Sequence, residues 1–355
     1  MQVYRTFFGL WCLVMSGGVA AAEHCVVLQY HHFSETTPPS TSVTPARFAE
    51  HLRYLREQHY QVLPLQDVIT KLRAGEALPE RCVSLSVDDA YLSVYQTAYP
   101  MLQELGWPLS IFISTEGVDQ GLDAYMSWEQ MREMARAGVR FENHSHSHAH
   151  LIRRLPDESV DEWQRRVTRD IQQAQQRITE ELGQIPTLIA YPYGEYSPDL
   201  QRIVTSLGLT GFGQQSGPIG SDSDFTALPR FPMAAGFAEM SVFRTKVDTL
   251  TFPLLSAEPT DPLVPLEEWR PVLTLKLRSG SYSQPSIHCF INGSDAVELS
   301  WPSDQPDTLF VRPGRRLPVG RSRTNCTMPS ATTGRFHWYS HNWIRREADG
   351  SWYRE

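Results

Sequence analysis

Cys82-Val-Ser-Leu-Ser-Val87-Asp88-Asp89-Ala90 reads as a short, β-branched run that ends in two carboxylates. Leu92, Tyr95 and Tyr99 then recur at helical spacing towards Gly106, and the apolar Ser110-Ile-Phe-Ile-Ser114 follows. Two strands joined by a helical crossover lie parallel, so this stretch sets a parallel α/β fold. It also places Asp88 and Asp89 at the carboxyl end of a strand, where such folds gather their active sites.

The same grammar extends outward on both sides. Cys25-Val-Val-Leu-Gln-Tyr30 and Leu188-Ile-Ala-Tyr191 are further strands, and Thr44-Pro45 is an N-cap with Pro at the first helical position, ahead of Phe48, Leu52 and Leu55. Trp128 to Ala137 forms a helix closed by Gly138, and a long helix from Val160 to Leu182 is closed by Gly183. This pattern covers 23–252. Pro253, Pro259, Pro262 and Pro265 mark a linker over 253–265, and short alternating strands rich in Trp, Tyr, Ser and Thr make 266–355 an all-β domain. At the start, Arg5 precedes an apolar stretch from Phe7 to Val19 that is too short to span a bilayer and ends in Ala20-Ala21-Ala22, so 1–22 reads as a secretory signal peptide. No later segment reads as a membrane span, and the expected location is secreted or periplasmic.

Composition bounds the function. The 355 residues are 41% hydrophobic and 20% charged, which excludes disorder, and Lys+Arg 32 against Asp+Glu 40 gives −8 with the charges dispersed, which argues against a nucleic-acid partner. Export suits the cysteines. Cys25 and Cys82 each open a strand at the same end of two candidate neighbours, so the expected pairs are Cys25 with Cys82 and Cys289 with Cys326, free buried thiols being the alternative.

The densest chemistry is Glu142-Asn143-His144-Ser145-His146-Ser147-His148-Ala149-His150. His144 and His148, four apart, can meet one cation on a helical turn or tight loop, and neutral imidazole suits a borderline metal such as zinc. Two ligands leave a site open, and Asp88-Asp89 offers a carboxylate ligand beside a base. Alone, an Asp pair at a strand end is a solvated turn or cap, and a His-rich tract is an adventitious binder. Their joint occurrence, each after a strand, favours a catalytic metal centre. A third element, Ala190-Tyr191-Pro192-Tyr193-Gly194, also follows a strand, and there the Tyr193 backbone N–H could meet a developing oxyanion while both tyrosine rings wall a pocket.

Together the three elements resemble the polysaccharide deacetylase family, the NodB-homology domain or carbohydrate esterase family 4. Its motifs are an Asp-Asp pair, His-Ser/Thr-x-x-His and Arg-x-Pro-x-Gly; Asp88-Asp89, His144-Ser145-x-x-His148 and Ala190-x-Pro192-x-Gly194 stand in that order. The resemblance covers residues 24 to 250. It implies a distorted (β/α) barrel, here with a C-terminal all-β domain. It further implies Asp89, His144 and His148 as ligands of a divalent metal, zinc first and cobalt, nickel or iron as alternatives, with Asp88 as base towards a metal-activated water. Ser145 is expected to orient a ligand by hydrogen bonding within its motif, and His146 and His150 to be non-ligands.

Two departures stand out. The family arginine is replaced by Ala190, and Arg230 in Leu228-Pro-Arg-Phe-Pro232 is the candidate to orient the base in its place, an exposed arginine being the alternative. The late Leu-x-His motif is missing, since no histidine lies between His150 and His288. Gln29-Tyr30-His31-His32-Phe33 ends the first strand instead, and alternation allows only one imidazole to face the metal, so His31 is preferred over His32 as acid. This arrangement resembles the branch containing the periplasmic poly-β-1,6-N-acetylglucosamine deacetylases. The implied reaction is removal of N-acetyl groups from an exported polysaccharide. Peptidoglycan, chitin oligosaccharide or xylan deacetylation, or an inactive glycan-binding protein, are the alternatives. The aromatic C-terminal residues, among them Trp301, Trp338, Trp343 and Trp352, fit either glycan stacking or core packing, and on the stacking reading loss of this domain raises KM for polymer most.

Overall fold

The structure is a computed structural model that describes residues 21–294 and 296–354. Among the described residues nine strands pair in its main sheet, and seven of them build the barrel: β1 (His24–Tyr30), β2 (Cys82–Asp88), β3 (Ser110–Ile113), β4 (Arg140–Asn143), β5 (Leu188–Ala190), β6 (Thr210–Phe212) and β7 (Phe231–Pro232). They run parallel in the order β6-β5-β4-β3-β2-β1-β7. The sheet curls until Leu228, just ahead of β7, bonds through its backbone to Gly211 and Gly213 beside β6, at 2.8 and 2.9 Å. Both ends of the sheet thus meet in a distorted barrel.

Helical crossovers cover the outer face, so β1 and β2 are buried along their whole length, with the Ser84 and Ser86 hydroxyls donating to the Leu63 and Leu28 carbonyls. The helix Pro45–Glu57 begins where the Thr44 side chain accepts from the Arg47 N–H, and it packs Phe48, Leu52 and Leu55 inward. Ser159 caps the 23-residue helix Val160–Leu182 through a capping box with Glu162, and Gly183, at φ 66, ends it. Cys25 lies beside Cys82 on neighbouring strands, and the two are joined at a Cα separation of 4.7 Å.

The C-terminal region is a sandwich of two four-stranded sheets. One sheet contains β8 (Thr249–Thr251), β11 (His288–Ile291), β14 (Gly320–Pro329) and β15 (Phe336–Arg345). The other contains β9 (Leu254–Glu258), β10 (Leu273–Leu277), β12 (Val297–Ser300) and β13 (Thr308–Pro313). Leu273, Leu275, Leu309, Val311 and Trp343 fill the space between them. The Cys289–Cys326 disulfide joins directly paired residues of β11 and β14.

One sequence boundary needs correction. The stretch 253–265 is no plain linker, because β9 pairs with β10 along it. As an edge strand with an exposed pattern, Leu-Leu-Ser-Ala-Glu shows none of the buried alternation that marks a strand in sequence. Of the expected signal peptide, residues 1–20 lie outside the described residues, while Ala21 and Ala22 pair with Pro79 and Leu78. Among the described residues no helix is long and apolar enough to cross a membrane.

Candidate active site

Asp88 closes β2, and the two residues after it adopt left-handed backbone, Asp89 at φ 72 and Ala90 at φ 58. Such residues cost roughly 1–2 kcal/mol each, and here they re-aim the chain so that two consecutive carboxylates face the same mouth. The turn after β4 is shaped in the same manner. Ser145 (φ 64) donates its N–H to Asn143 Oδ1 at 2.7 Å, Ser145 Oγ accepts from the His148 N–H at 3.0 Å, and Asp170 Oδ1 accepts from the His146 N–H at 2.9 Å.

These two turns bring three atoms together: Asp89 Oδ1 lies 3.3 Å from His144 Nε2 and 3.2 Å from His148 Nε2. Ala190 O sits 2.8 Å from His144 Nδ1, which fixes the ring proton there and leaves a lone pair on Nε2. Asp89 Oδ1 is buried without a hydrogen-bond partner. An orphaned carboxylate oxygen facing two imidazole nitrogens fits a cation, and the ligand atoms of Asp89, His144 and His148 all lie within 4.8 Å of one another. Burial raises the Asp89 pKa, but the two imidazoles that face it outweigh this and hold the carboxyl well below its usual value.

Asp88 and Arg230 are both fully buried. The guanidinium grips the carboxylate bidentately, at 2.7 Å to Oδ1 and 2.9 Å to Oδ2, and Gln29 Nε2 donates to Oδ2 at 2.6 Å. Burial pushes the Asp88 pKa up, yet Arg230 more than reverses this and leaves it below the ordinary carboxylate value. Arg230 is itself held by Gly213 O at 3.1 Å and lies over the Phe112 ring at 5.2 Å. His31 Nε2 stands 3.9 Å from Asp88 Oδ2, with its pKa lowered by burial against the pull of both aspartates. His32 turns the other way and stacks on Tyr91 at 3.6 Å.

Other expected site residues divide. Tyr193 stacks on His150 at 3.8 Å and meets the edge of His148 at 4.7 Å, so its turn borders the triad. Tyr191 does not line the mouth: it is fully buried, donates to Thr226 O at 2.7 Å and packs in the cluster of Ile189, Trp163 and Ile171 beneath the helix Val160–Leu182, because alternation past β5 turns its ring away from the opening. His146 lies within hydrogen-bond distance of Thr115 Oγ1 and the Gln173 amide, away from Asp89. Two residues were given no role from the sequence: Gln29, a buried polar residue between Leu28 and Tyr30, and Glu195, whose Oε2 lies 2.7 Å from His150 Nδ1.

A parallel barrel whose strand ends gather an Asp-His-His cluster and a buried Asp–Arg pair has the layout of a hydrolase centre able to hold a divalent metal. Residues 75–212 match the family model described as polysaccharide deacetylase, and the chain contains a domain of that family. YxkH of Bacillus subtilis (strain 168), which bears the same family description, is 27% identical over 213 residues, covering 60% of this chain and 72% of its own. The poly-β-1,6-N-acetyl-D-glucosamine N-deacetylase of Staphylococcus aureus (strain MRSA252) is 25% identical over 195 residues, 53% of this chain and 67% of its own. Among solved structures, the Streptococcus pyogenes deacetylase PplD superposes with a TM-score of 0.56 at 24% identity, over 63% of this chain and 98% of its own. IcaB from Ammonifex degensii gives 0.54 at 24% identity, over 62% and 96%. These two structures share the fold. The match over residues 75–212 supports a deacetylase hydrolase activity.

Proposed function

We propose that this chain is a metal-dependent N-deacetylase of exported poly-β-1,6-N-acetylglucosamine, acting as a secreted or periplasmic protein. The observation that carries this reading is the convergence of Asp89 Oδ1 with two imidazole Nε2 atoms beside a buried, ion-paired second carboxylate. Two imidazoles and one carboxylate suit zinc first, with an open position, and such a cation when bound polarises an acetyl carbonyl and acidifies water.

The chain's own residues handle the protons. Arg230 and Gln29 fill both acceptor sites of Asp88 Oδ2 and one on Oδ1, so Oδ1 keeps the free lone pair at which a proton from water is taken. Arg230 keeps that carboxylate ionised and fixes its plane, which is the task the family assigns to the arginine replaced here by Ala190. His31, whose Nε2 stands 3.9 Å from Asp88 Oδ2 at the same mouth, is the acid that gives a proton to the departing amine. The Tyr193 backbone N–H serves the tetrahedral oxyanion from the turn that borders His148. The glycan assignment rests on the S. aureus relative, and the two disulfides support an oxidising compartment.

Acetate release from a panel of glycans tests this, with and without chelator and added divalent metal. Acetylated β-1,6-glucosamine oligomers should be the best substrates, and chelation should abolish release. A preference for peptidoglycan, chitin oligosaccharide or acetylated xylan moves the substrate while leaving the chemistry; no release from any substrate favours a glycan-binding protein.

A further inference from the structure

The turn that borders the triad is held in an unfavourable backbone. Tyr193 at φ 60 and Gly194 at φ 69 are consecutive left-handed residues, and a Cβ on Gly194 would meet Gln214 atoms at 2.6–2.8 Å. A tyrosine in that region persists only where its surroundings impose it. Several of those restraints come from outside the barrel.

Arg321 on β14 lays its guanidinium over the Tyr193 ring at 5.4 Å and donates to the Tyr193 carbonyl at 3.3 Å. Tyr353, in the tail after β15, donates its hydroxyl to Glu195 Oε1. Glu195 is 1% exposed, and through its other oxygen it holds the His150 ring that stacks on Tyr193. Tyr353 is itself seated: Arg153 lies over its ring at 4.6 Å and donates to its carbonyl at 3.2 Å. Arg321 and Tyr353 both follow the segment 75–212 that the family model matches, and about a third of this chain lies outside its likeness to PplD.

We propose that the C-terminal strands are a working part of the active site, in which Tyr353 and Arg321 are positioning residues that hold the Tyr193 turn against the Asp89-His144-His148 cluster. The inference rests on the deacetylase reading of that cluster. It changes what the sandwich is for. A module that only gripped polymer would alter KM for long glycans alone, whereas a module that shapes the turn alters turnover on the shortest substrate as well.

The test uses full-length Tyr353→Phe, which keeps the ring over Arg153 and removes only the hydroxyl, and Arg321→Gln, whose side chain is partly exposed and leaves folding unthreatened. On a short acetylated β-1,6-glucosamine oligomer both variants should lose about tenfold to a hundredfold in kcat, the range expected for a small misplacement, with KM within about twofold. Metal content should match wild type. Hydrogen exchange of the 191–196 amides should quicken by about tenfold as the turn loosens, and Arg321→Lys should recover part of both effects. Unchanged kcat and exchange in both variants would overturn the proposal, as would a loss confined to KM on polymer. If wild-type protein releases no acetate, the deacetylase reading fails, while the exchange measurement still decides whether these residues hold the turn.

Discussion

Asp88 and Glu195 are both buried carboxylates near the barrel mouth, and they are held in different ways. Asp88 takes all its donors from the barrel, Arg230 and Gln29. Glu195 shares His150 with the barrel but takes the Tyr353 hydroxyl from the end of the chain, with Arg153 and Arg321 at 3.6 and 3.7 Å. For both, burial raises the pKa and the partners more than cancel it, Arg230 for Asp88 and the bonds from His150 and Tyr353 for Glu195. The Asp88 pocket is thus built wholly within the barrel, whereas the turn around Tyr193 and Glu195 also takes contacts from the C-terminal strands and tail.

The sharpest way to break this contrast is at the cluster. Asp89→Ala, His144→Ala or His148→Ala should remove both bound metal and acetate release, while His150→Ala should keep its metal; metal analysis and acetate assay on one preparation check it. Asp88→Asn should retain metal and lose about 10²–10⁴ in turnover, as expected when a general base is removed. Loss of metal there would exchange the roles of the two aspartates. His31→Ala should also keep metal and fall by about 10², at the low end of that range, with His32→Ala near wild type. The smallest effects are in stability. Arg230→Ala strands a buried carboxylate and should cost about 3–5 kcal/mol in denaturant unfolding, while Glu195→Gln keeps an acceptor for Tyr353 and should cost only about 1–3 kcal/mol. Equal costs would mean that the two carboxylates are held alike.

Legibility in the sequence followed the distance between partners. A parallel α/β fold could be read from 82–114, where strand, carboxylates, helix and strand are contiguous, and so could the cluster residues, whose turns are built from neighbours such as Asn143 and Ser145. The Asp88–Arg230 pair spans 142 residues and the Glu195–Tyr353 pair 158, and only the curl of the sheet and the docking of the tail bring them together. Arg230 was legible only through Ala190, which stands where the family motif has its arginine. Nothing local marks Tyr353 as a neighbour of the mouth. Tyr191 misled for a different reason: aromatic residues beside a Pro/Gly turn suggest a pocket wall, but one step of alternation sends the ring into the packing with Ile189 and Trp163.

The central claim is that Asp89, His144 and His148 form a metal centre on which acetate release depends. Wild-type protein should be stripped with chelator and titrated with zinc while metal content and acetate release from acetylated β-1,6-glucosamine oligomers are followed together. The account predicts that release vanishes in stripped protein and returns in proportion to metal, saturating at about one equivalent per chain, as a single three-ligand site requires. Full activity in the exhaustively stripped protein would contradict it.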